Sequence, residues 1–515
     1  MKIDVYSHCI KVTRVFTERQ LQAMLSFCKP LVEMGFEKKG KRYYPKPLRT
    51  YAAATRDRKE FSFHRNQLEE LKNHLFKRLY FTETEVQITH HEISLDTYPK
   101  FDFKVKFMYP PRENQPGILE YVIDDGVLHP KWDAIIKMVT LQTGKGKTYI
   151  AQYVINVLKV RTVIHFKGGY VARWKEDLEK TFEFKRGELL IVRGGKDLIA
   201  LQKMMLEGTL KAQVIIITNG TMRDYFKNYE ESNGKSTIYP IKPIDFYPKL
   251  EVGFRVGDEI HQEFHNNFRI DLYTHVPKSL SLSATMESSD QFKNRMYAIA
   301  YPLNQRHDGG GYDAYIAVTS ILYNLDPETR IKYMGAQGYS HTAFEESVMK
   351  QPEVLKNYLR LIERAIYNRF VSVFEWGQKM LIFCARVEFC TMLVERLRKI
   401  HPDLTIARYV GSENDSYDEL LEADIGVTTV GSGGTAIDIH NLRVSLMTTA
   451  MDSRQSNEQV LGRTRRLKDW PEVVPEFLYF VCVDIEQHVK YDLNKQAFFK
   501  GKVVSHGQIK SPTVL

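Results

Sequence analysis

Thr140-Leu-Gln-Thr-Gly-Lys-Gly-Lys-Thr148 is the stretch on which the fold turns. Thr140-Leu141 leads into the glycine-rich turn, and beyond it Tyr149, Ile150, Tyr153, Val154 and Val157 recur at helical spacing. A glycine-rich turn that opens a helix suits phosphate, because glycines let backbone N–H groups point inward and the helix start adds positive potential. Gly144, Lys145, Gly146, Lys147 and Thr148 are therefore the candidate phosphate-binding cradle, with Lys147 for the outer phosphates and the Thr148 hydroxyl for Mg2+. Leu141 stands where the general pattern places a further glycine.

Strand-like and helical runs alternate outward from this turn. Thr162-Val-Ile-His-Phe166 reads as the next strand, and Met380-Leu-Ile-Phe-Cys384 and Ile425-Gly-Val-Thr-Thr429 repeat the pattern later. That order predicts parallel sheets with covering helices, hence two α/β lobes. Prolines crowd Met108–Gly117 and glycines crowd His307–Asp313, marking a linker and a joint. The 515 residues then divide into an N-terminal α+β domain (1–110), a first lobe (111–306), a second lobe (307–485) and a basic tail (486–515). In the N-terminal domain, Thr17 and Gln20 form a capping box ahead of Leu21, Met24, Leu25 and Cys28. Leu68, Leu71, Leu75 and Leu79 make a second helical stripe, while Val86, Ile88 and later Ile93, Leu95 alternate as strands do.

Hydrophobic residues at 43% and charged residues at 26% describe a globular chain rather than a disordered one. A net charge of +10 favours a polyanionic partner. Five cysteines without a CxxC pair argue against a disulfide framework or a zinc ribbon and for a reducing compartment. Met1–Val12 is too polar for an export signal, and no apolar run approaches the ~20 residues of a membrane span. A soluble cytoplasmic protein without a membrane partner is expected, and a monomer.

Three further groups carry chemistry. Asp258-Glu-Ile-His261 follows Val252, Phe254 and Val256, so Asp258 can hold Mg2+ and Glu259 can polarise water at a strand end, although Arg255 and Gly257 interrupt the apolar run. Gln459-Val-Leu-Gly-Arg-Thr-Arg-Arg466 sets Arg463 and Arg466 one helical turn apart, either as charge for a γ-phosphate or as a basic surface helix. Residues 37–65 are basic, with Lys38, Lys39, Lys41 and Arg42 beside Tyr43, Tyr44, Phe61 and Phe63, the mix that contacts phosphates and stacked bases, or else a solvated loop.

TGKGKT, DEIH, Ser283-Ala-Thr285 and QVLGRTRR, in this order, resemble the motifs of superfamily 2 helicases and translocases, among which the short TGxGKT loop is common. The resemblance covers about Leu128 to Val483. It extends to Val214–Thr221, Leu381–Arg386 and Thr428–Leu442. It implies two RecA-like lobes in tandem with ATP and Mg2+ between them and nucleic acid across both. Lys147 and Thr148 would bind phosphate and metal, Asp258 and Glu259 would serve metal and water, and Gln459, Arg463 and Arg466 would complete the site. Ser283, Thr285 and His261 would couple nucleotide to strand, while Thr221 and Arg386 would touch the strand backbone.

Within that superfamily Arg49-Thr-Tyr51, Asp57-Arg58, Phe63–Leu71 and Tyr339–Glu346 look most like the phage UvsW-type recombination helicases. That likeness implies a DNA helicase acting on junctions, forks and R-loops in recombination, repair or replication, in the host cytoplasm if phage-encoded. RNA helicase, restriction motor and non-hydrolysing scaffold are the alternatives. Two departures stand out. No glutamine accompanies Leu128-His-Pro-Lys-Trp132, where an adenine reader often stands, and Asp438 replaces a smaller residue.

Overall fold

The computed structural model describes residues 1–39, 42–123, 135–142, 144–288, 290–309, 313–335, 338–411, 415–431 and 439–515, leaving aside the side chains of residues 38, 39, 43, 455 and 459. The chain forms two compact units, the first holding the N-terminal domain with the first lobe, the second holding the second lobe.

The first lobe is a sheet of seven strands in the spatial order Leu189–Val192, Val214–Thr218, Thr162–Phe166, Phe254–Gly257, Lys278–Ser283, Ile136–Thr140 and Arg306–Asp308. Every neighbouring pair is parallel. Val214–Thr218 is buried at every position, as a strand covered on both faces requires. In a parallel sheet all the strands open toward one edge, and the loops at that edge hold the site.

The second lobe repeats the plan with Ile406–Tyr409, Ile425–Thr429, Lys379–Cys384, Leu442–Met447, Glu476–Cys482, Ala317–Asn324 and Ser505–Val514. All its pairs are parallel too. The fold is thus two tandem RecA-like lobes behind a small mixed sheet. Residues 486–515 do not form a tail: Glu486–Phe499 is a helix, and Ser505–Val514 pairs with Ala317–Asn324.

The N-terminal sheet runs Ala53–Ala54, Phe61–His64, Cys9–Thr13, Lys2–Val5, Gln87–His90. The Thr17–Gln20 capping box is present, and Leu68–Lys72 continues into a π-helical turn over Asn73–Arg78. Ile93 and Leu95 are not in a strand, because Ser94 accepts from the Asp96 N–H and closes a 3-10 turn over Leu95–Thr97. One apolar core runs from Ile3 and Phe63 through Phe268 and Tyr301. Polar contacts reinforce that joint. Lys11 Nζ meets the Tyr229 hydroxyl at 3.0 Å, the Arg56 N–H donates to the Glu230 carbonyl at 2.9 Å, and Asn66 Nδ2 donates to Gln305 Oε1 at 2.9 Å.

The interruptions at Arg255 and Gly257 have physical reasons. Arg255 is buried and paired with Asp271, and its Nη1 donates to Thr274 Oγ1 at 2.8 Å. A Cβ on Gly257 would lie 3.1 Å from Ile260 Cγ2. Among the described residues, no helix is long and apolar enough to cross a membrane.

Candidate active site

The turn before helix Lys147–Leu158 is shaped by Gly144 and Gly146, at φ +86° and +91°, which L side chains rarely adopt. Gly146 is required twice, since a Cβ there would sit 2.5 Å from Gln115 Nε2. Among the described residues, no side chain caps this helix start, whose N–H groups suit an anionic ligand. Thr143 lies outside the described residues.

Gln115 and Arg112 were not among the expected site residues. Gln115 is buried, donates from Nε2 to the Lys145 carbonyl at 3.1 Å and accepts from the Arg112 N–H at 2.8 Å. Arg112 Nη1 donates to the Gly144 carbonyl at 3.3 Å, and the Tyr149 hydroxyl donates to the Tyr109 carbonyl at 2.8 Å. The proline-rich stretch is therefore the outer wall of the cradle, not a passive linker. The stretch Leu128–Trp132, where no adenine-reading glutamine is expected, lies outside the described residues. The available signal was Arg112-Glu-Asn-Gln115 directly before helix Pro116–Ile123.

Lys147 is buried and its ammonium pairs with Glu259 Oε1 at 2.8 Å. Glu259 adopts φ +46°, an uncommon conformation for a non-glycine residue that accompanies strained functional turns. Asp258 accepts from Trp174 Nε1 at 2.8 Å and from the Glu259 N–H at 2.9 Å. Burial first, and the Glu259 charge second, push its carboxyl up to about 6. Trp174, unforeseen from the sequence, stacks on Phe166 with centroids 5.8 Å apart and so fixes the carboxylate it bonds. Lysine, threonine hydroxyl, two carboxylates and a glycine-shaped helix start fit a magnesium-bound triphosphate.

The three residues expected to couple nucleotide to strand come together. His261 Nδ1 lies 2.5 Å from Ser283 Oγ, which donates to the Thr285 carbonyl at 2.6 Å, so the imidazole donates from Nδ1. Glu259 Oε2 is 3.4 Å from the same nitrogen. Burial lowers His261 to about 4, so it is neutral at physiological pH. A depressed folded value contributes stability above the unfolded pKa of about 6.5 that is lost as pH falls toward 4. The stability advantage of wild type over His261→Gln should accordingly shrink by an order of 3 kcal/mol between about pH 7 and 4. Urea midpoints across that range check it, and a constant gap would contradict it.

Other expected residues are placed differently. Thr221 is buried, with its hydroxyl accepting from the Gly194 N–H at 2.7 Å and 2.8 Å from Thr218 Oγ1, so it fastens helix Gly194–Leu206. In the second unit, helix Arg454–Leu461 ends before the arginines, because Gly462 caps it and the Arg463 and Thr464 N–H groups fold back onto Val460 and Leu461. Arg463 is buried, whereas Arg466 is exposed beside Asp313 at 3.1 Å, so the two do not share a helical face. The Gln459 side chain and Asp438 lie outside the described residues. Arg386 pairs with Glu346 and Glu388 at 3.2 and 3.3 Å, and buried Glu345 accepts from the Arg386 N–H at 2.8 Å. Arg42 is exposed on a β-ribbon; Lys41 and the side chains of Lys38 and Lys39 lie outside the described residues.

No family model matches the chain. It is 24% identical over 265 residues to the DNA 3'-5' translocase XPB2 of Sulfurisphaera tokodaii, covering 50% of this chain and 49% of that protein. The chain thus spans about half the length of that relative. Among solved structures, it is similar to Mss116p bound to ssRNA and AMP-PNP, at 18% identity and a TM-score of 0.47 over 77% of this chain and 74% of that one. It is also similar to T4 UvsW, at 12% identity and a TM-score of 0.31 over 99% and 100%.

Proposed function

We propose that the chain is an ATP-driven DNA helicase or translocase of superfamily 2 that remodels branched DNA. One observation carries the reading: Lys147, Glu259, Asp258 and the His261–Ser283 link form one buried cluster beside an uncapped, glycine-shaped helix start. That arrangement suits gripping a triphosphate, aiming water at it and passing the change onward. The partial match to a DNA translocase supports DNA over RNA.

In this reading Lys147 leaves Glu259 for the outer phosphates, and Glu259 then orients the attacking water. Thr148 and Asp258 would hold Mg2+, which neutralises charge on the phosphates. By the resemblance, Arg463 and Arg466 would offset negative charge as the phosphoryl group transfers, and Gln459 would add a hydrogen bond. Gln115 would read the base if its carboxamide, whose donor and acceptor are turned to the Lys145 carbonyl and the Arg112 N–H, swings toward it. Gln115→Ala should therefore reduce the preference for ATP over GTP by about tenfold, the worth of one buried polar contact. Relative kcat/KM for the two nucleotides measures it, and an unchanged ratio would remove Gln115 from this role.

The reading is tested by ATP turnover without nucleic acid, with single-stranded DNA, with a four-way DNA junction and with matched RNA, using Glu259→Gln as control. Stimulation by DNA that vanishes in the control supports it. Stimulation by RNA alone favours an RNA helicase, and turnover indifferent to nucleic acid and to the substitution overturns the reading.

A further inference from the structure

We infer that an antiparallel ribbon, Val32–Lys39 paired with Arg42–Thr50, stacks its apolar face on the last base pair of a DNA duplex where the strands part. The inference rests on the reading above and extends it by naming the surface that meets the junction.

The ribbon is a two-stranded sheet separate from the N-terminal domain's own sheet. Its register sets Met34 opposite Pro47 and Phe36 opposite Pro45, so these four side chains share one face. All four are exposed, Phe36 to 73% and Met34 to 55%. Successive same-face positions lie about 6.7 Å apart along a strand and about 5 Å across, an apolar tile of base-pair size. Pro45 and Pro47 have no N–H, so the outer edge of their strand offers few donors for an added β-strand. The face, not the edge, is what remains to bind. Over residues 32–50 the sequence carries Lys38, Lys39, Lys41, Arg42, Lys46 and Arg49 against Glu33 and Glu37 alone. Lys46 pairs with Glu37 at 3.2 Å and Arg49 with Glu33 at 3.7 Å, while Arg42 is exposed, and exposed aromatic and apolar groups on a ribbon of net positive sequence suit stacked bases with flanking phosphates.

The root of the ribbon ties it to the active site. The Tyr51 N–H donates to the Leu31 carbonyl at 2.9 Å, and the Tyr51 ring is fully buried. That ring packs against Phe264, His265 and Phe268 with centroids 5.8, 5.1 and 5.1 Å away, and against Phe292 at 5.6 Å. His265 Nε2 also meets the Thr50 carbonyl at 3.0 Å. Phe264–Asp271 is the helix after DEIH, and Gln291–Ala300 is the helix after Ser283-Ala-Thr285. The ribbon therefore stands on the two helices that leave the nucleotide-sensing strand ends.

The test uses the full chain with forked DNA carrying 2-aminopurine at the junction base pair. Without ATP, wild type should raise the fluorescence by unstacking that pair, and Phe36→Ala and Met34→Ala should lose most of the rise while binding the fork comparably. With ATP, Phe36→Ala should unwind forks about tenfold more slowly, the loss of one aromatic stack, and Met34→Ala should slow unwinding by a smaller factor, with turnover on single-stranded DNA unchanged in both. Phe36→Trp should restore both signals. The inference is overturned if the variants unstack and unwind like wild type, if fork binding and single-strand turnover fall together, or if only oligomeric state changes. Because the fluorescence arm needs no ATP, a chain that fails to hydrolyse ATP overturns the helicase reading without deciding this one.

Discussion

Glu259→Gln is expected to lower DNA-stimulated ATP turnover by about 10²–10⁴-fold while leaving nucleotide affinity equal or tighter. The carboxylate does two things: it neutralises Lys147 at 2.8 Å, and it lies 3.4 Å from His261 Nδ1. Glutamine keeps the shape but cannot take a proton from water, so chemistry stops. It also releases Lys147 from an ion pair that a triphosphate must otherwise displace. Lys147→Ala should differ, losing affinity as well as turnover, because the ammonium is the only one of the two groups that meets phosphate. Stopped-flow phosphate release, together with binding of a fluorescent ATP analogue, separates these outcomes. Parallel loss of binding and turnover in Glu259→Gln would contradict the assignment.

The second large effect concerns stability. Arg255→Leu should destabilise the first unit by about 3–5 kcal/mol, because it strands the buried Asp271 carboxylate. Arg255→Leu with Asp271→Leu should recover most of that loss, since an ion pair replaced by apolar groups leaves no unpaired charge. Arg255 holds Asp271 well below the usual carboxylate range despite its burial. The stabilisation is therefore fully present above an unfolded pKa of about 3.9 and disappears as pH falls further. Urea unfolding of the full chain at pH 7 measures both variants, and equal losses in the single and double replacements would refute the pairing argument. Asp271 also lies 3.6 Å from His64 Nε2 of the N-terminal domain.

Runs buried on both faces declared themselves in the sequence. Thr162–Phe166 and Ile425–Thr429 are strands with the bounds their apolar runs suggest, because a central parallel strand needs little beyond burial. Weakly patterned elements did not. Ser505–Val514 joins an edge, where only one neighbour constrains it and polar residues are tolerated. Local groups such as Asp258–Glu259 and His261–Ser283 follow from strand ends meeting at one edge. Contacts made through long sequence separation were hidden: Gln115 reaches Lys145 from a proline-rich stretch, and Trp174 reaches Asp258 from another helix. Helical spacing suggested one face for Arg463 and Arg466, but Gly462 ends the helix first.

The most direct measurement is an experimental structure of the full chain with Mg2+ and a non-hydrolysable ATP analogue. The account predicts that Lys147 has left Glu259 for the outer phosphates, that Gln115 bonds the base, and that Arg463 and Arg466 approach the terminal phosphate. A nucleotide bound elsewhere, or Lys147 still paired with Glu259 and both arginines remote from the phosphates, would contradict it.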